Sequence, residues 1–225
     1  MSKAAAVRLQ PRKTPRQARS TASVEAILEA TIQVLVKEGR ARLTTTRVAQ
    51  RAGVSVGTLY QYFPNKSSML QALLKHHLDG VAGAVEQACE EVRGKRVGEM
   101  AEAITGAFVQ AKFRHLDASA ALYAVSDDVE GKRIARGMHV RVIRALGDAF
   151  ATASDRRLAE PMAVAEAVLG AMAGVSRSML ERGAAAGAMA IMDRELTVMV
   201  RAYLQAAAAC DPTSLTAACL PKDRG

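Results

Sequence analysis

No stretch of this 225-residue sequence stays apolar for long. The longest segment without a charged residue runs from Ala52 to Asn65 and includes two glycines and a proline, whereas a spanning helix needs about 20 apolar residues. That predicts no membrane span and no membrane partner. The N-terminus has Lys and Arg but no apolar core ahead of a cleavage site, so it does not read as a secretory signal. The three cysteines, Cys89, Cys210 and Cys219, are odd in number and form no CxxC pair, which predicts reduced thiols in a cytoplasmic protein. His76 and His77 are adjacent and point about 100° apart on a helix, so they cannot chelate one metal together. With no HxxxH, CxxC or carboxylate-rich spacing, neither a metal nor another cofactor is expected. A helical enzyme with a basic face is weighed and set aside, because the chain has no Gly-rich phosphate loop, no Ser/His/Asp arrangement and no Cys beside a base.

What is present is unevenly spread. Met1 to Lys66 holds twelve basic residues against three acidic ones, a formal +9, while the rest of the chain holds 19 of each. A basic part joined to a neutral part predicts a polyanion-binding segment and a segment with another task. With 225 residues the chain can bury about 70–75% of its unfolded surface in one or two domains, and a hydrophobic content of one half argues against a disordered basic protein. Ala and Met are abundant, and the β-branched residues fall at helical rather than alternate spacing, so the fold class is all-α.

Residues 1–20 carry six basic groups, no acid and two prolines, and read as a flexible basic arm. From Ser20 or Thr21, either of which could cap a helix, Val24, Ile27, Leu28, Thr31, Ile32 and Leu35 mark an amphipathic first helix up to Gly39. Two short helices follow, opened by Thr44 to Thr46 and by Ser55, then a long one from about Lys66 to Arg93. Further helices are predicted near 97–115, 118–124, 128–152, 161–182 and 189–209. There is no internal repeat and no heptad run long enough for a free coiled coil.

The segment LTTTRVAQRAGVSVGTLYQYF, Leu43 to Phe63, has the mechanics of a helix-turn-helix. Ala49 is small where the second helix crosses, Gly53 is free to take φ > 0 at the turn, and Val54 and Leu59 lock the pair. A recognition helix enters the major groove by its N-terminal end, here Ser55, Val56, Gly57 and Thr58. Ser55 and Thr58 can bond bases or phosphates, Val56 can pack on a thymine methyl, and Gly57 permits close approach. Ser55 can equally be a pure cap, and exposed Gln61 either reads adenine or is merely solvated. Lys66 opens the long helix, where an ammonium gains nothing from the dipole unless an anion sits there too. One of Thr44, Thr45 and Thr46 must be the cap of its helix, leaving the others for phosphate.

Over Leu43 to Leu70 the sequence resembles the TetR-type bacterial transcriptional regulators, through Thr44-Thr45, Val48-Ala49, Ala52-Gly53-Val54, Gly57-Thr58-Leu59-Tyr60, Tyr62-Phe63, Asn65-Lys66 and Met69-Leu70. The likeness reaches more loosely back to about Val24. It implies that Tyr60 bonds a phosphate, that Tyr62 is used at the groove, and that a basic residue near Thr46, here Arg47, also serves DNA; the alternative for both tyrosines is packing on the first helix. Arg16 and Arg19 could reach phosphate or the minor groove. The resemblance further implies a DNA-binding domain over 21–66, a helical effector-binding and dimerisation domain over 67–210 and a tail over 211–225. On that reading the protein is a homodimeric repressor of a palindromic operator, released by an unknown small molecule. The alternative is an architectural or nucleoid factor of the same fold without an effector.

Within the neutral part, Ala165, Val168, Met172, Val175 and Met179 step by threes and fours, as do Met192, Leu196, Met199 and Tyr203. Such seams pack helix on helix, and they are assigned to a four-helix dimer interface, with an intramolecular core as the alternative. Phe108, Phe113, Tyr123, Met138, Phe150 and Met172 are the candidates for an effector pocket, with Gln110, Arg114, His115 and His139 as groups that could orient a ligand.

Overall fold

A helix loses nothing by starting on proline, because the missing N–H would have had no intrahelical partner. The first helix, α1 (Pro15–Glu38), begins in this way. It starts ahead of Ser20 and Thr21, so Arg16 and Arg19 lie in its first two turns and not in an arm. The computed structural model of the chain describes residues 15–114, 119, 122, 129–182 and 187–208. A 3-10 turn at Arg40–Arg42 leads to α2 (Thr45–Ala52), α3 (Val56–Tyr62) and the long α4 (Lys66–Glu91). Then come α5 (Val97–Phe113), α6 (Val129–Phe150), α7 (Pro161–Glu181) and α8 (Ala188–Ala207). The described residues contain no strand, in keeping with the all-α expectation, and α5 to α8 fall within about two residues of the expected bounds. The helix expected over 118–124 lies, apart from Ser119 and Leu122, outside the described residues.

The chain divides into two compact units between Met69 and Leu70. In the first, α1 packs on α2, and Ile27, Leu28, Val34, Leu35, Leu43, Val48, Ala49, Leu59 and Phe63 are buried. Burying each of the larger ones contributes roughly 1.5–3 kcal/mol. Gly53 ends α2 at φ 68, which lets Val54 N–H donate back to the Ala49 carbonyl at 3.0 Å. A side chain at that φ would be strained. This glycine is what turns the chain from α2 into α3.

In the second unit α5 packs on α8 and α6 on α7. The start of α5 borrows its caps from far along the chain: Val97 N–H donates to Asp155 Oδ1 at 2.9 Å and Gly94 N–H to Thr152 Oγ1 at 2.9 Å. Arg141 of α6 grips α4 with three bonds, to both Glu86 carboxylate oxygens at 3.0 and 2.8 Å and to Asp79 Oδ1 at 2.9 Å. Cys89 is buried on α4, and burial pushes its thiol up to about 12, with Glu90 and Glu86 adding to the rise. Such a thiol is a packing group and a poor nucleophile. By length and composition α7 would qualify to cross a membrane, at a mean hydropathy of 1.3. The charge-free criterion passed over it because Glu166 and Arg177 interrupt it. Its inner face, including Val164, Val168, Leu169 and Leu180, is committed to the core.

Candidate functional site

The two short helices of the first unit are capped by hydroxyls, and the caps decide which groups remain for another molecule. Thr44 is the N-cap of α2, its Oγ1 accepting from Arg47 N–H at 3.3 Å. Thr45 and Thr46 therefore stand inside the first turn, beside N–H groups that have no intrahelical acceptor. The Thr45 hydroxyl lies 3.2 Å from the phenol of Tyr60, which reaches back from α3. Two hydroxyls from two helices meet at the open end of α2. Arg47 does not join them: its guanidinium is ion-paired with Glu38 of α1 and donates to the Arg42 carbonyl at 3.1 Å. Arg51 is likewise turned toward α1, donating to Gln33 Oε1 at 2.6 Å.

Ser55 caps α3, accepting from Thr58 N–H at 3.0 Å, and its oxygen lies 2.8 Å from Thr58 Oγ1. Leu59 alone of α3 is buried; Thr58 and Tyr62 are half-buried. Val56, Gly57, Tyr60 and Gln61 make the exposed face, Tyr60 at 48%. A Cβ added at Gly57 would meet only Ser55 Oγ, at 3.7 Å, so nothing inside the chain requires a glycine there. At the next boundary Asn65 Oδ1 accepts from Ser68 N–H at 2.8 Å and Ser68 Oγ from Asn65 N–H at 3.2 Å, a reciprocal cap. This fixes Lys66, half-buried, as the first residue of α4. Ser55, Val56, Gly57 and Thr58 thus share the first turn of α3, as expected, while Thr44 and Ser55 act as caps.

Residues 27–73 match the bacterial regulatory proteins of the tetR family, and residues 98–204 match the tetracyclin repressor-like C-terminal domain. The chain belongs to the bacterial TetR family. A TetR-family regulator of Mesorhizobium loti shares its fold at a TM-score of 0.68, with 15% identity over 84% of this chain and 98% of the other. A Rhodococcus transcriptional regulator does so at 0.65, with 19% identity over 84% of this chain and all of that one. In sequence, the HTH-type transcriptional regulator YvkB of Bacillus subtilis is 39% identical over 61 residues, 27% of this chain and 32% of that protein. The nucleoid occlusion factor SlmA of Haemophilus ducreyi is 50% identical over 50 residues, 22% of this chain and 25% of SlmA. The chain thus spans only a quarter to a third of the length of these curated relatives.

In the TetR C-terminal unit the side chains fall differently from expectation. Of the proposed pocket residues, Phe108, Phe113, Phe150 and Met172 are buried in the core, because large apolar groups contribute most by filling space. Tyr123 and His115 lie outside the described residues, and Gln110 and Arg114 are exposed. Among the described candidates, Met138 and His139 border a cleft of about 520 Å³ lined also by Leu74, Leu78, Lys112, Lys132 and Arg136. Of the proposed dimer seam, Ala165, Val168, Met172 and Leu196 are buried within the single chain, and Met179 is packed against the same core. Val175, Met199 and Tyr203 are exposed. The sequence seams thus mix buried and exposed positions of α7 and α8. Met162, Val175, Met189, Ile191, Val198, Met199 and Tyr203 on these two helices are seven of the eleven exposed large apolar side chains among the described residues.

Lys112, missed by the sequence reading, sits buried on α5 among Phe108, Val109 and Phe113. Burial pushes its ammonium from 10.5 down to about 8. Below about 8 both folded and unfolded chains hold this proton, so the group's contribution is constant there. Between about 8 and 10.5 the unfolded chain holds more protons, so the group makes stability rise with pH. Thermal unfolding of Lys112→Met across that window is expected to lack the rise seen in the parent; equal slopes would place the ammonium in water.

Proposed function

We propose that this TetR-family protein is a cytoplasmic, homodimeric repressor that binds a palindromic operator through α2 and α3 and is released by a small molecule held in its second unit. The observation that carries the reading is the Thr45–Tyr60 hydroxyl pair at the open N-terminus of α2, 3.2 Å apart. Helix N–H groups and two donors together suit one phosphate. Beside them the exposed face of α3, with Val56, Gly57 and Gln61, is the part that reads base edges, and Lys66 adds a cation at the start of α4. A twofold dimer joined through exposed faces of α7 and α8 matches the symmetry of a palindromic operator, whose half-sites lie about 34 Å apart or a multiple of it. Ala163, Ala167 and Gly170, small and exposed on α7, allow the helices to approach closely.

A mobility shift against the DNA flanking the protein's own gene tests this. A dimer neutralising several phosphates loses ~10³–10⁵ in affinity between 50 and 200 mM salt, and salt-insensitive or absent binding would overturn the reading. Tyr60→Phe is expected to weaken all sequences alike, whereas Thr58→Ala also relaxes base preference; the reverse pattern would exchange their positioning and reading roles. The likeness to the nucleoid occlusion factor SlmA, over a short segment only, supports a second reading, an architectural or nucleoid factor of the same fold. Binding at many genomic sites with no small-molecule response would select that alternative.

A further inference from the structure

The cleft of the second unit lies among α4, α5, α6 and α7. One part of its wall is apolar, formed by Leu74, Leu78, Leu122 and Met138. Every charged residue among its described lining is cationic: Lys112, Lys132, Arg136 and Arg177, with His77 and His139 beside them. Their exposure grades the charge with depth, since Lys112 is 8% exposed while Lys132 and Arg136 are open to solvent. Several arginines of these helices are matched, Arg133 by Glu130, Arg141 by Asp79 and Glu86, and, within the lining itself, Arg177 by Glu181. Lys132 and Arg136 stand one turn apart on α6, where like charges repel, and neither is ion-paired among the described residues.

We infer that this cleft receives an organic carboxylate with an apolar body, the head group held by Lys112 and the α6 cations and the body lying on Leu74, Leu78, Leu122 and Met138. Carboxylates take charge-assisted bonds from ammonium and guanidinium groups. The volume, about 520 Å³, suits a small amphiphile. A cationic ligand would find no carboxylate among the described lining, and a neutral one would leave the basic rim without purpose. The depressed Lys112 ammonium agrees, since an adjacent anion favours its charged form. The inference rests on the effector reading above only for its consequence, the release of DNA; the binding stands by itself.

Calorimetric titration of the full chain with octanoate, octanol and octylammonium, which share one apolar body, separates head-group preference from hydrophobic binding. Octanoate is expected to bind at least about tenfold tighter than octanol, as one charged hydrogen bond implies, and octylammonium weakest. Lys112→Met should remove that preference and leave octanol binding in place. Should that variant fail to fold, the exposed pair Lys132→Gln/Arg136→Gln should reduce it while leaving octanol unchanged. Binding of none of the three probes, or a preference for the alcohol or the amine, overturns the inference. So does an octanoate affinity that neither variant lowers. A mobility shift with octanoate present reads the other question: binding without DNA release keeps the ligand class and removes the effector role.

Discussion

Gly57→Glu is expected to abolish DNA binding while leaving the fold intact or slightly more stable. Gly57 lies in the first turn of α3, and a Cβ there meets nothing closer than Ser55 Oγ at 3.7 Å. Replacing a helical glycine by a residue with a side chain recovers about 0.5–1 kcal/mol of backbone entropy. A carboxylate near a helix N-terminus adds roughly 0.3–1 kcal/mol through the dipole. Against the operator the same group sets bulk and negative charge on the surface meant to meet phosphates and base edges, and opposed like charges cost several kcal/mol. Affinity should then fall by ~10²–10³ or more. Mobility shift and calorimetric melting on the same sample decide it: a lowered melting temperature would mean the glycine serves the fold, and unchanged DNA affinity would move the recognition surface off α3.

Leu196 and Val198 stand two residues apart on α8 and are expected to fail in opposite ways. Leu196 is 1% exposed and Val198 58%. Leu196→Ala removes core volume and should cost about 2–5 kcal/mol in folding stability, read as a shifted denaturant midpoint. Val198→Asp puts a charge on the outer face, where the single chain has no reason to object. It should leave the melt of the monomer near that of the parent and split the dimer in sedimentation at micromolar concentration. DNA affinity should fall with it, since a lone α3 engages one half-site. If Val198→Asp stays dimeric, the interface lies elsewhere.

The helix-turn-helix was legible because its determinants are local: a hydroxyl at each cap, a glycine at φ > 0 and three small or branched apolar residues between them. The inner stripes of α7 and α8 were legible as stripes, but their partner was not. Helical period reports that a face is buried and is silent on whether the burying surface belongs to the same chain. Ala165, Val168, Met172 and Leu196, assigned to a dimer interface with an intramolecular core as the alternative, are therefore found buried within the chain, while Val175, Met199 and Tyr203 of the same seams are exposed and Ile191 and Val198 stand outside any seam. The cleft escaped for a related reason. Large aromatic groups such as Phe108 and Phe150 draw attention as ligand contacts, yet in a tightly packed interior they are the filling. Two signals were present and unread: Lys112 inside an apolar run of α5, and the like-charged pair Lys132 and Arg136 on one side of α6. The early start of α1 was missed because the sequence from Pro15 to Ser20 shows no apolar spacing, although proline is a valid helix opener.

The inward turn of Arg47 and Arg51 changes what a formal charge can be taken to mean. Binding a polyanion frees the small ions condensed on it, and the number freed follows the cations that face it, not those that a sequence count supplies. Arg47 satisfies Glu38 and the Arg42 carbonyl, and Arg51 satisfies Gln33. Part of the basic excess in the first unit is thus structural mortar between α1 and α2, and the ion release on DNA binding is set by a smaller, outward-facing remainder.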